Sequence, residues 1–214
     1  MDEEITIIDS NARNERIRNF FINNKKKLII TVSIILVIII GYLSFEKSKE
    51  TKKIKLANQY NLALIDLNPQ NKQKKINAMI NVVKSNDATY SPLALYHLLD
   101  NNLLDNNDDI NNLFNELIEK TNLENEIKNL IIYKKALFNS DFVSENELLK
   151  ILNPVINSES IWKSHALYLL AEFFYSKEEK QKAKEFFNQI MVLPSANNDI
   201  KVASQKRLNR DLGE

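Results

Sequence analysis

Residues 28–45 read LIITVSIILVIIIGYLSF, a run of eighteen residues that contains no charged side chain and no proline. As a helix rising ~1.5 Å per residue, this run would be about 27 Å long, close to the thickness of the hydrocarbon core of a bilayer. The run 34–40, in which every residue except Leu36 is β-branched, would suit a buried strand, but eighteen uncharged residues are too many for one strand. Because a helix satisfies its own backbone hydrogen bonds in lipid, we predict a transmembrane helix over 28–45.

The flanks of this segment favour an uncleaved membrane anchor over a signal peptide. No small-residue cleavage site follows the apolar run, and 27 residues precede it. Six Lys or Arg residues precede the segment and five follow it closely, so the positive-inside rule favours a cytoplasmic N-terminus by a small margin. We therefore expect residues 1–27 to form a short basic, amphipathic head in the cytoplasm. This head could lie on anionic lipid or bind a cytoplasmic partner protein.

Composition points to a helical domain over residues 46–214. This part carries 23 basic and 23 acidic side chains, and the balance argues against a nucleic-acid footprint. The whole chain has two Gly and four Pro, too few breakers for a β-rich fold. The absence of Cys excludes disulfides and thiolate metal sites. Asparagine is frequent, which we attribute to the base composition of an A- and T-rich genome.

Apolar residues in this part recur at intervals of three and four, which predicts an all-α fold of about nine helices. We expect antiparallel helix pairs arranged as an αα-superhelix, with the membrane helix continuing into the first of them. The expected helices lie near 47–67, 70–84, 92–104, 108–120, 122–139, 145–152, 160–176, 177–192 and 198–212. The last would cap the array.

Several polar residues are expected to begin or end these helices. Ser91, Asp108, Thr121 and Ser144 are predicted N-caps, since their side chains can accept hydrogen bonds from the exposed N–H groups of the first turn. Pro154 is expected to end the helix before it, because a proline disfavours the helical conformation of the preceding residue.

Residues 164–194 read SHALYLLAEFFYSKEEKQKAKEFFNQIMVLP, and this unit resembles a tetratricopeptide repeat. The small residues Ala171 and Ala183 would allow two helices to approach closely, while Phe174 and Phe187 fill the space beside them. Earlier helix pairs show the same helix–turn–helix pattern but lack some of the residues typical of the repeat. We predict a tetratricopeptide-repeat-like domain over 46–214, clearest at 164–194.

The whole layout resembles the YfgM-type ancillary subunits of the SecYEG translocon. The likeness rests on RIRNFF in the head, KKKLII at the membrane border, KLANQYNLAL after it, and WKSHALYLLAEFFY and AKEFFNQI near the end. The resemblance implies a bacterial inner-membrane protein whose repeat domain lies in the periplasm. It also implies the SecYEG translocon and periplasmic chaperones as partners, with a role in chaperoning secreted or membrane proteins.

The sequence carries no catalytic or metal-binding signature. Gly occurs only at 41 and 213, which rules out Walker, GxSxG and GxGxxG motifs. His97 and His165 lie in apolar helical stretches without metal-ligand spacing. We therefore predict a protein-binding module and not an enzyme, with no cofactor, metal or small-molecule substrate. A scaffold for envelope assembly or cell division remains an alternative, as does a regulator that binds a cytoplasmic signalling protein through its head.

The candidate protein-binding residues form a stripe on the first helix of the repeat. With the apolar side of that helix facing the core, His165, Tyr168, Glu172 and Tyr175 lie about 130° round the helix. Two Tyr rings would give flat contact area to an extended polypeptide, while His165 and Glu172 would supply hydrogen bonds. The alternative is that Tyr168 and Tyr175 pack on the neighbouring repeat or on the final helix.

Overall fold

Every regular element in the described part of the chain is an α-helix. A computed structural model describes the backbone of residues 2–65 and 71–213, and the side chains of residues 13–65 and 71–213. These residues form nine helices and no strand: α1 Asp2–Ile65, α2 Lys72–Val83, α3 Tyr90–Asp100, α4 Asn107–Lys120, α5 Asn125–Asn139, α6 Glu145–Ile156, α7 Lys163–Ser176, α8 Lys180–Val192 and α9 Asn198–Arg210. The prediction of an all-α chain with about nine helices is confirmed.

Helix α1 contains the predicted membrane segment and continues beyond it without a break. Large apolar side chains within residues 29–45 are 47% to 69% exposed. The helix is long and apolar enough to cross a membrane. Its continuation to Ile65 confirms the predicted extension past the membrane border. The predicted end of this helix, near residue 67, lies outside the described residues.

The chain divides into two units, residues 1–55 and 56–214. In the second unit each helix from α2 to α8 packs on the next one in the chain. Contacts also link α2 with α4, α5 with α7 and α7 with α9, so that each helix pair is held by the pair beside it.

The core of the second unit consists of two hydrophobic clusters. One gathers the end of α1 with α2, α3 and α4, and the other gathers α6 to α9. Helix α5 contributes side chains to both clusters, because Ile131 lies in the first cluster and its neighbour Ile132 in the second. The predicted inward residues of α7 and α8 are all buried: Leu167, Leu170, Ala171, Phe174, Ala183, Phe187 and Ile190.

Three of the four predicted N-caps differ in the structure, and two of them, Ser91 and Thr121, use their hydroxyl to donate to a group outside the helix they were expected to cap. Ser91 lies inside α3, fully buried, and its hydroxyl donates to Val82 O at 2.8 Å. Thr121 donates to Asn86 Oδ1 at 3.2 Å, and α5 begins only at Asn125. Ser144 is confirmed, since it accepts from the N–H of Glu147 at 3.3 Å.

Three further details correct the expected helices. Asp108 lies in the first turn of α4, where Asn106 is the N-cap and accepts from the Asp108 N–H at 2.8 Å. Helix α6 continues through Pro154 to Ile156, since a proline in the last turn removes a single hydrogen bond while buried Val155 holds that turn in the core. In α9, Val202 is 55% exposed, although a valine on an amphipathic helix usually faces the core.

Candidate functional site

The predicted stripe on α7 is partly buried along its whole length. All four side chains, those of His165, Tyr168, Glu172 and Tyr175, are of intermediate exposure. Helix α7 fixes their direction, because its opposite side carries the buried residues of the second cluster. The two tyrosines of the stripe also pack against the edge of that cluster.

Helix α9 lies against the C-terminal half of the stripe. The guanidinium of Arg207 donates from Nε to Glu172 Oε1 at 2.8 Å and from Nη2 to Glu172 Oε2 at 2.6 Å. The same guanidinium lies 4.9 Å from the ring centre of Tyr175. It also donates from Nη1 to Asp211 Oδ2 at 2.8 Å. Hydrogen bonding to Glu172, and then to Asp211, raises the pKa of Arg207 above its usual range.

Tyr168 packs against α8 as well as facing the same ionic group. Its ring meets the ring of Phe187 edge to face, with 5.6 Å between the centres. Burial is the main reason that the pKa of Tyr168 is raised, followed by its hydrogen bond with Glu172. The hydroxyl is therefore neutral and remains a hydrogen-bonding group.

At the N-terminal end of the stripe, His165 belongs to an aromatic cluster. Its ring centre lies 5.1 Å from that of Trp162 and 5.9 Å from that of Tyr133, and the Tyr133 and Trp162 rings are stacked. Burial lowers the pKa of His165. The imidazole is consequently neutral at pH 7 and packs between α5 and α7.

These contacts are of the kind expected if the stripe packs against other helices of the chain. Glu172 and Tyr175 face α9, Tyr168 faces α8, and His165 faces α5. The structure thus brings the four residues together on one face, where other parts of the chain already contact each of them. A role for the stripe in binding a partner stays a prediction.

A second candidate surface is a polar groove between α4, α5 and α6, which the sequence analysis missed. It encloses about 650 Å³. Three asparagines, two lysines and a glutamate on its lining carry most of its polar groups: Asn111, Asn115, Asn139, Lys135, Lys150 and Glu147. The sequence pattern that could have predicted this groove is the spacing of four residues from Asn111 to Asn115 and from Lys135 to Asn139. This spacing places each pair on one side of its helix.

The floor of this groove is fixed by a reciprocal pair of amides. Asn111 Nδ2 donates to Asn139 Oδ1 at 2.9 Å, and Asn139 Nδ2 donates to Asn111 Oδ1 at 2.8 Å. Asn139 is 2% exposed and also donates to the main-chain oxygen of Lys135 at 2.7 Å. The pair ties α4 to α5 and satisfies the buried amide.

Lys135 lies beside this pair and contributes a partly buried ammonium group. Its Nζ donates to Asn115 Oδ1 at 2.7 Å. Burial lowers the pKa of Lys135, and the charges of Glu119 and Glu147 oppose that shift. No group of side chains among the described residues is arranged to hold a metal ion.

Comparison with protein-family models, with curated proteins and with solved structures finds no match to this chain.

Proposed function

We propose that this chain is a membrane-anchored protein-binding module, built as a tetratricopeptide-like αα-superhelix on a single transmembrane helix. The apolar run 28–45 within α1 carries the proposal, because its side chains lack protein neighbours over a length that fits a bilayer. The successive helix pairs of the second unit support it, since such pairs present long surfaces to other proteins. The proposal is of a binding protein and not of an enzyme.

The particular role we propose is that of an ancillary subunit of the SecYEG translocon in a bacterial inner membrane. The N-terminus would lie in the cytoplasm and the helical domain in the periplasm, where it would assist the chaperoning of secreted or membrane proteins. The resemblance of the head, the membrane border and residues 164–194 to YfgM-type subunits supports this role.

Crosslinking in the membrane tests the partner. A photoreactive amino acid at exposed Leu137 of the full chain, expressed in a bacterial host, should capture translocon subunits or periplasmic chaperones. The same group at Phe20 in the head should capture no cytoplasmic signalling protein. Capture only of envelope-assembly or cell-division proteins would overturn the translocon role and favour the scaffold alternative.

Cysteine labelling tests the orientation, and the cysteine-free sequence makes any introduced thiol the only one. In intact spheroplasts, Cys introduced at Asn198 should react with an impermeant maleimide, whereas Cys introduced at Ser10 should not. The reverse pattern would place the helical domain in the cytoplasm and exclude a periplasmic role.

A further inference from the structure

The groove between α4, α5 and α6 has a preformed floor. Asn111 and Asn139 use both N–H groups of each amide within the chain, on one another and on the main-chain oxygens of Asn107 and Lys135. Each side-chain oxygen accepts one of these bonds and retains a second lone pair. The floor is therefore held rigid, and partly exposed Asn111 still offers one acceptor to the groove, whereas Asn139 is buried.

Hydrogen-bond donors lie beside this acceptor. The ammonium of Lys135 has three N–H groups, of which one is bonded to Asn115 Oδ1. Lys135 forms no ion pair with any residue that the structure describes. The side-chain amide nitrogen of Asn115 carries two N–H groups, and neither is hydrogen-bonded within the described part of the chain. Because one hydrogen bond and no ion pair offset the partial burial of this ammonium group, it is suited to bind a hydrogen-bond acceptor from a ligand.

The charge of the groove limits the kind of acceptor. Lys135 and Lys150 are balanced by Asp108 and Glu147 on the same lining. A polyanion would meet these carboxylates as well as the ammonium groups, so the groove does not favour phosphate or nucleic acid. A neutral chain with alternating acceptors and donors matches it better, and the main chain of an extended polypeptide has that character.

We propose that this groove binds an extended segment of another polypeptide through its main chain, with Asn115 and Lys135 donating to its carbonyl oxygens. The volume of about 650 Å³ lies within the range of ligand-binding clefts and suits a short peptide segment. The inference rests on the proposed protein-binding function and names the surface and the chemistry that would carry it.

The test uses the full chain in detergent micelles and a fluorescein-labelled mixture of dodecapeptides built from Ala, Ser, Thr and Gln. Fluorescence anisotropy should show saturable binding. The double substitution Asn115→Ala, Lys135→Met should weaken this binding about tenfold or more, because both donors are removed. The matched control Asn112→Ala, Lys128→Met changes the same residue types on the same helices outside the groove and should alter affinity less than about twofold. Equal affinities for the two double variants would overturn the proposal.

Two further measurements define the ligand. Peptides of the same composition with N-methylated amides lose main-chain donors and the extended geometry, so they should bind several-fold more weakly. Inorganic pyrophosphate should fail to displace the peptides, and displacement by it would mark an anion site and overturn main-chain recognition. If crosslinking in the membrane captures proteins while the groove variant binds peptide normally, this inference fails and the proposed function stands. If peptide binding depends on the groove but no protein is captured in the membrane, the proposed function fails instead.

Discussion

Arg207 on α9 holds Glu172 on α7 through two hydrogen bonds, of 2.6 and 2.8 Å, in a bidentate pair. The two side chains are 27% and 26% exposed, so water screens this pair less than it would a fully exposed one. The pair fixes the last helix across the face of α7 that the sequence offered as a binding surface.

A double-mutant cycle of Arg207→Met and Glu172→Gln should give a coupling energy of about 1 kcal/mol, near the upper end for a partly exposed pair because the geometry is bidentate. The chain's single tryptophan, Trp162, packs on the second cluster, so its fluorescence follows unfolding of that cluster in guanidinium. Lys206→Met, one residue away and exposed, serves as the control. A coupling energy near zero would mean that this ion pair does not help to hold α9 on α7.

Acid should destabilise the C-terminal end of α9 through Asp211. This carboxylate accepts from Arg210 at 2.7 and 2.8 Å and from Arg207 at 2.8 Å, and these bonds hold its pKa well below the usual range. The stabilisation is complete above the unfolded-state pKa of ~3.9 and is lost as the pH falls towards the folded-state value. The Tm difference between the natural chain and Asp211→Asn should therefore shrink from pH 5 to pH 2. A difference that is constant over this interval would show that ionisation of Asp211 is not its source.

The contact between α7 and α8 depends on two small residues. Ala171 and Ala183 are both fully buried in the second cluster, so Leu at either position should overpack it and cost about 1–3 kcal/mol of unfolding free energy. Gln181→Leu adds a similar side chain to the exposed side of α8 and should change stability by less than about 0.5 kcal/mol. Equal stability of Ala171→Leu and the natural chain would show that space is available there.

The amide pair in the polar groove should behave as a unit. Asn139→Ala leaves Asn111 without its partner and should cost about 1–3 kcal/mol. Because one substitution already breaks both bonds of the pair, adding Asn111→Ala should cost much less than Asn111→Ala does alone. Denaturant titrations of the two single variants and the double variant measure this, and additive losses would contradict a mutual pair.

The turn between α7 and α8 contains a strained residue. Glu178 has φ of +63°, a left-handed conformation that costs most residues about 1 kcal/mol but that Asn tolerates better. Glu178→Asn should therefore raise unfolding free energy by about 0.5–1 kcal/mol. Glu185→Asn in the middle of α8 should lower it slightly, since Asn is the poorer helix former. A loss at Glu178 would mean that its side chain has a stabilising role beyond the backbone conformation.

The sequence by itself determined the features that depend on neighbouring residues. The apolar run 28–45, the all-α class, the number of helices and the buried sides of α7 and α8 follow from spacing along the chain. Ser144 was found as a cap for the same reason, because its bond reaches only three residues ahead. A helical period fixes which side chains share a face before any tertiary contact forms.

Tertiary structure alone decided what each face meets. Thr121 has the residue type of a cap, but its hydroxyl binds Asn86, 35 residues earlier. The direction of Glu172 could be derived from the helix, whereas its partner Arg207 lies 35 residues later on α9. The polar groove depends on the pairing of Asn111 with Asn139 across 28 residues. Hydrogen bonds are short and directional, so which distant groups meet is set only when the helices dock, and no local pattern encodes it.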